Sequence, residues 1–173
     1  MKVSVIIPSL NPDNKLVAVV DALLEEGFKD IIIVNDGSDE EHMAPFNEVA
    51  AHSECTILTH EVNKGKGRGL KTAFEFCLEN RKDIDGVVTV DGDNQHRAKD
   101  IKKCSETMVS TGNVVLGVRD FTGDDVPARS KFGNNMTSGV FKVLCRLNIS
   151  DTQTGLRAIP CLLYTSPSPR DTR

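Results

Sequence analysis

Five short apolar runs, each broken off by polar residues, set the tightest limit on what this chain can fold into. Residues 3–7 stop at Pro8. Residues 31–34 run into Asn35-Asp36-Gly37-Ser38, and residues 56–58 precede Asn63-Lys64-Gly65-Lys66. Residues 87–90 lead into Asp91-Gly92-Asp93, and residues 114–118 are followed by Arg119-Asp120. The runs are continuous rather than alternating, the mark of strands buried on both faces. Helical stripes separate them, at 16–24, at 46–51, from the Gly-rich stretch through 78, and at 101–109. Strands alternating with helices imply right-handed βαβ units, hence an α/β fold with a mostly parallel sheet flanked by helices. In such sheets ligands bind beyond the carboxyl ends of the strands. A lone cluster of Asn, Asp, Gly and Ser is an ordinary turn, but five on one edge make a site.

Composition narrows the function classes. A chain of 173 residues is expected to form one domain with a sizeable core. Its net charge of −4 carries no basic stripe, which argues against nucleic acid as a partner. The five cysteines (Cys55, Cys77, Cys104, Cys145, Cys161) form no C-x-x-C pair, so neither a disulfide framework nor a zinc site is expected. That usage fits a reducing, cytoplasmic compartment. The first residues begin a strand at once, without the pattern of a signal peptide, and no apolar run approaches the length of a membrane span. The sequons at Asn135 and Asn148 are accordingly read as without meaning.

The stretch VVTVDGDNQH (87–96) carries the sharpest chemistry. Two carboxylates at Asp91 and Asp93 repel each other unless a metal ion, a phosphorylated nucleophile or solvent intervenes. A calcium loop would need Gly and Glu where His96 and Lys102 stand. An aspartyl-phosphate phosphatase expects Thr or Val where Gln95 stands, usually near the N-terminus. The reading left is Mg²⁺ or Mn²⁺ held by Asp91, Asp93 and Gln95, with phosphate and water completing the shell. GKGRGLKT (65–72) nearly spells a P-loop, but Leu70 takes the place of the glycine before Lys71. A helix N-terminus bearing Lys64, Lys66 and Arg68 still suits a diphosphate. For Arg68 a solvated basic turn is an equal reading.

The ordered motifs VIIPSLN, IIIVNDGSDE, NKGKGRGLKTAF, VVTVDGDNQH, GVRDF and DTQTGLRAIP resemble family 2 glycosyltransferases of the GT-A fold, a Rossmann-like α/β architecture. The chain is most similar to the dolichol-phosphate mannosyltransferase-like branch, over residues 3–160. The resemblance implies inverting transfer of a sugar from a nucleotide sugar to a polyprenyl phosphate, at the cytoplasmic face of a membrane. It implies that Pro8 and Asn11 line the nucleotide pocket, that Asp36 meets base or ribose, and that Lys66 lies near base and diphosphate. Asp91, Asp93 and Gln95 would hold the cation, with Asp91 also near the donor. Arg119, Arg129 and Lys131 would meet the acceptor phosphate, with Arg119 counted among the catalytic groups. Asp151 and Gln153 would sit at the reacting centre. Asn35 and Pro12 replace acidic residues usual in the family, which leaves the donor preference open.

Residues 161–173 (CLLYTSPSPRDTR) stand apart, with the single tyrosine, two of the seven prolines and no period. They resemble an in-frame translation of a sequencing adapter; a natural disordered tail would have the same composition. The domain is therefore expected over 1–160, incomplete at its C-terminus because the family pattern continues further. Two other functions stay open: a nucleotide-binding fragment without transfer, and a transferase acting on a glycan hydroxyl with Asp151 as base. A sugar-nucleotide pyrophosphorylase would want a Gly-rich signature that VIIPSLNPDN lacks.

Overall fold

The computed structural model describes residues 1–118 and 154–161. Strands β1 (Val3–Ser9), β2 (Ile31–Asn35), β3 (Cys55–Thr59) and β4 (Gly86–Thr89) alternate with helices α1 (Lys15–Glu25), α2 (Ala44–Val49) and α3 (Lys66–Asn80). A single 3₁₀ turn, Glu40–His42, precedes α2. Helix α4 (Ala98–Thr111) leads to β5 (Val115–Leu116), and β6 (Arg157–Pro160) completes one sheet in the order β3-β2-β1-β4-β6-β5. Strands β1 to β4 are parallel, as the apolar runs predict. The exception is β6, which runs antiparallel to both β4 and β5.

That sixth strand is not among the sequence expectations. Arg-Ala-Ile-Pro is short, carries a charge and a proline, and earns its place through partners: Ala158 faces Val88 on one side and Val115 on the other. The run at 114–118 correspondingly forms a strand over Val115 and Leu116. The N–H of Cys161 still donates to the Asp85 carbonyl, so pairing continues one residue past the expected boundary at Pro160.

Alternation along the buried strands divides the core between two faces. Val5 and Ile7 pack with Leu16, Val20 and Leu23 of α1 and with Ile101 and Met108 of α4. Ile6, Ile32, Val34 and Val87 pack under α3. In α1 the buried Leu16, Val19, Val20 and Leu23 follow the spacing i, i+3, i+4, i+7 of a helix with one apolar stripe. Helix α3 instead turns its small residues Gly69, Ala73 and Cys77 to the sheet. A Cβ on Gly69 would lie 3.6 Å from Pro8 and Val34, so α3 sits close to the sheet where its first turn reaches the strand ends.

Pro8 marks where the sheet parts. The Ile6 carbonyl accepts from Val90 N–H, so strand alternation points Pro8 toward β4 as well. Pairing with β4 ends at Ile6, however, and there a residue without an N–H leaves nothing unsatisfied. Strands β2 and β4 lie on opposite sides of β1, which places the change of winding direction, and the crevice it opens, at the carboxyl ends of β1 and β4.

Candidate functional site

The loops after β1, β2 and β3 are fastened to one another before any ligand is considered. The Asn11 side chain donates to Asp39 Oδ2 (2.8 Å) and accepts from the Asp39 N–H (2.9 Å), while its own N–H donates to Ser38 Oγ. Asn11 has φ +47°, a left-handed conformation that Asn tolerates better than most residues. Buried Asn35 accepts from the Ser38 N–H at 2.9 Å and so shapes the turn after β2. Gly37 in that turn has φ +75°, and a Cβ there would lie 2.4 Å from the Val62 carbonyl carbon.

Asp36 is 3% exposed and turned inward. Its Oδ1 lies 2.6 Å from His60 Nδ1 and accepts from the Lys64 N–H at 3.0 Å, and its Oδ2 accepts from the Gly65 N–H at 2.7 Å. Burial alone would raise the Asp36 carboxyl, but the His60 ring and the two amides outweigh it and hold the group below the ordinary aspartate value. The far nitrogen of His60 lies 2.9 Å from Thr72 Oγ1 on α3. Expected to meet base or ribose, Asp36 in this structure engages His60 and the backbone of the Gly-rich loop.

Beyond β4 the acidic loop lies open. Asp91 Oδ1 accepts from Lys66 Nζ, and the two side chains are 29% and 57% exposed. Asp93 Oδ1 accepts from the Gln95 N–H at 3.2 Å, and Asn94 between them has φ +62°. The three expected metal ligands thus share one tight turn, with Asp91 facing a lysine. Among the described residues no three His, Cys, Asp or Glu side chains converge on one position. A cation expected at Asp91, Asp93 and Gln95 would take from the protein two carboxylates and an amide oxygen. That is a hard-oxygen set suited to Mg²⁺ or Mn²⁺ and needs phosphate or water to complete it.

A segment arriving from the far end of the chain closes this loop. Thr89 Oγ1 donates to the Gly155 carbonyl at 2.8 Å, and a Cβ on Gly155 would lie 2.1 Å from Asp91 Oδ2. Only a glycine lets the backbone pass so near the carboxylate. Pro8 lines two hollows at the crevice. One, of about 280 Å³, is bounded by Ser9, Asn11, Lys15, Gly92 and Asp93. The other, of about 270 Å³, is bounded by Lys66, Leu70, Asp91, Thr154 and Arg157.

Pro8 thus separates two hollows, one with Asn11 and Asp93 and the other with Lys66 and Asp91, while Asp36 is buried and Gln95 lies on the acidic turn. Arg119, Arg129, Lys131, Asp151 and Gln153 lie outside the described residues. His60, Thr72, Thr154 and Gly155 were not singled out from the sequence. The glycine at the end of DTQTG was the one available signal, because close backbone approach is what a glycine permits. Burial pushes the Cys55 and Cys77 thiols up to about 11, away from the reactive thiolate.

The family model described as glycosyl transferase family 2 matches residues 4–159. A UDP-N-acetylglucosamine–dolichyl-phosphate N-acetylglucosaminyltransferase of Methanococcus voltae is 28% identical over 172 residues, covering 88% of this chain and 67% of that protein. An uncharacterised protein of Methanocaldococcus jannaschii is 27% identical over 161 residues, covering 91% of this chain and 64% of that protein. The chain thus spans about two thirds of the length of these relatives. Glucosyl-3-phosphoglycerate synthase of Mycobacterium tuberculosis, solved with Mn²⁺, UDP and glucosyl-3-phosphoglycerate, shares the fold with a TM-score of 0.70 at 15% identity. That match covers 92% of this chain and 56% of the synthase.

Proposed function

The chain belongs to glycosyl transferase family 2, and on that premise we propose that it is the donor-binding part of a metal-dependent, inverting glycosyltransferase. Its donor would be a UDP- or GDP-sugar and its acceptor a polyprenyl phosphate at the cytoplasmic face of a membrane. The observation that carries this reading is the pairing of Lys66 with Asp91 at the carboxyl end of β4, with Asp93 lining the neighbouring hollow across Pro8. Two relatives support the finer terms: one is named for a UDP-sugar and a dolichyl phosphate, and the synthase was solved with Mn²⁺ and UDP. Among the described residues no helix is long and apolar enough to cross a membrane.

Each residue's part follows from its charge. Asp91, Asp93 and Gln95 would hold Mg²⁺ or Mn²⁺, which supplies Lewis-acid stabilisation of the departing diphosphate. Lys66 leaves its partner Asp91 and turns its ammonium to the diphosphate, meeting the negative charge that grows as the sugar departs. Pro8 and Asn11 wall the nucleotide pocket. A phosphate acceptor is anionic at neutral pH and needs no strong base. Arg119, Arg129 and Lys131 would hold it, with Asp151 and Gln153 at the reacting centre.

Calorimetry with Mn²⁺ and UDP- or GDP-sugars tests the reading. Asp91→Asn and Asp93→Asn should each weaken metal-dependent donor binding by at least about tenfold. Unchanged affinity in both would overturn the metal assignment. Turnover of nucleoside triphosphate with sugar phosphate would instead make the protein a pyrophosphorylase.

A further inference from the structure

His60 is a buried titratable group with no part in the mechanism above, and it is connected on both sides. It follows β3, its N–H donates to the Asn35 carbonyl, and it is 8% exposed. Its ring bridges Asp36 at the end of β2 and Thr72 on α3, with contacts of 2.6 Å and 2.9 Å. The same Asp36 carboxylate takes the Lys64 and Gly65 amides, which immediately precede Lys66. Gly65 caps α3 with φ +87°, so the chain turns sharply into the helix at this point.

We infer that His60 is a positioning residue: between Asp36 and Thr72 it fixes the start of α3, and with it the Lys66 ammonium, toward the diphosphate of the donor. The inference rests on the reading of this edge as a nucleotide-sugar site. The geometry explains why an exposed lysine can be aimed at all. A long flexible side chain loses much rotamer freedom on docking, and fixing its backbone from both sides removes part of the search. It also gives buried Asp36 its role here, since three donors occupy the carboxylate: one from His60 and two from the loop that carries Lys66.

Two replacements separate the two arms of the ring. Asn at position 60 sets an amide nitrogen near the place of Nδ1, and Gln sets one near the place of Nε2. His60→Asn should therefore keep the bond to Asp36, and His60→Gln should lose it. With Mn²⁺ present, His60→Gln should bind UDP and GDP about tenfold more weakly, with uridine and guanosine binding little changed. His60→Asn should recover most of the loss. In a Lys66→Met background the His60→Gln penalty should vanish, because the aimed group is gone. A penalty that persists undiminished there, or one that falls equally on nucleosides, overturns the inference.

Amide hydrogen exchange without ligand reads the clamp directly. Exchange at Lys64 and Gly65 should quicken in His60→Gln and not in His60→Asn, and unchanged exchange in both would refute the clamp. If the wild-type protein binds neither UDP nor GDP with Mn²⁺, the nucleotide reading fails and the aiming of Lys66 at a diphosphate fails with it. The exchange result then still decides whether His60 holds the loop.

Discussion

The two ends of the sheet differ in a way that cavity size alone would misjudge. At the amino ends of the strands lies a hollow of about 590 Å³, bounded by Met1, Lys2, Asp30, Arg81, Lys82 and Ile84. The two hollows lined by Pro8 at the carboxyl ends are about half that volume, and a third beside Pro12 and His42 is about 530 Å³. Polar groups at the amino end nevertheless satisfy one another. Arg81 Nε donates to both oxygens of Asp30 at 3.0 Å, Ser4 Oγ donates to the same carboxylate, and Lys2 and Asp85 exchange two bonds of 2.7 Å. The guanidinium also rests over the Phe76 ring at 5.1 Å. At the carboxyl end the buried pair of Asp36 with His60 and the exposed pair of Asn11 with Asp39 secure the loops, while Asp91, Asp93 and Lys66 remain accessible. Volume marks where the chain leaves a gap; chemistry sits where charge is held ready but still open.

The comparison predicts where substitutions hurt stability and where they hurt binding. Gly37→Ala should have the largest effect, since it combines a left-handed backbone with a Cβ driven into the Val62 backbone. Strain and overpacking together should cost about 3 kcal/mol in denaturant unfolding, with weaker nucleotide binding because the loops shift. A mild effect would mean that the loop fastening is slack.

Arg81→Met, at the other end, should cost about 1.5 kcal/mol by loss of hydrogen bonds to a partly buried carboxylate. Nucleotide affinity should stay at the wild-type value. A matching loss of affinity would erase the distinction between the two ends.

Acid titration sharpens it further. The folded Asp36 carboxyl lies below its ordinary value of 3.8, so its contribution is full above that value and is lost as pH falls through the folded one. Wild-type stability should therefore drop below about pH 4 more steeply than that of Asp36→Asn, as followed by thermal unfolding. Parallel curves would mean that the inward hydrogen bonds add nothing. The smallest effect belongs to removal of residues 162–173. Their composition offers no periodic apolar face, and stability should hold within about 0.5 kcal/mol.

The parts of this molecule that were legible in the sequence are those encoded locally. Continuous apolar runs predict β1 to β4 because both faces of each strand are covered, and the 3.6-residue stripe predicts α1 within a residue at either end. The acidic turn of Asp91 and Asp93 and the Gly-rich start of α3 at Lys66 were each legible because each is a short local pattern. What escaped depends on partners distant in sequence. Strand β6 exists because β4 and β5 leave a slot between them, which no property of Arg157 to Pro160 announces. A lone histidine at position 60 reads as nothing until Asp36 and Thr72 stand on either side of it. The inward turn of Asp36 has the same origin, since its partners at Lys64 and Gly65 belong to another loop.

The antiparallel β6 has an evolutionary consequence. The chain leaves the sheet at Gly117 and is back beside it by Leu156, where the Gly117 N–H donates to the Leu156 carbonyl at 2.9 Å. Thr154 Oγ1 donates to the Gly117 carbonyl as well, so departure and return share one doorway beside Asp91. Whatever lies between can be lengthened, shortened or exchanged while the doorway keeps its shape. Doubling the length between two fixed ends costs only about 0.6 kcal/mol in closure entropy. A lineage built on this doorway could vary that stretch by insertion, with the hollows at Pro8, Lys66 and Asp91 inherited intact.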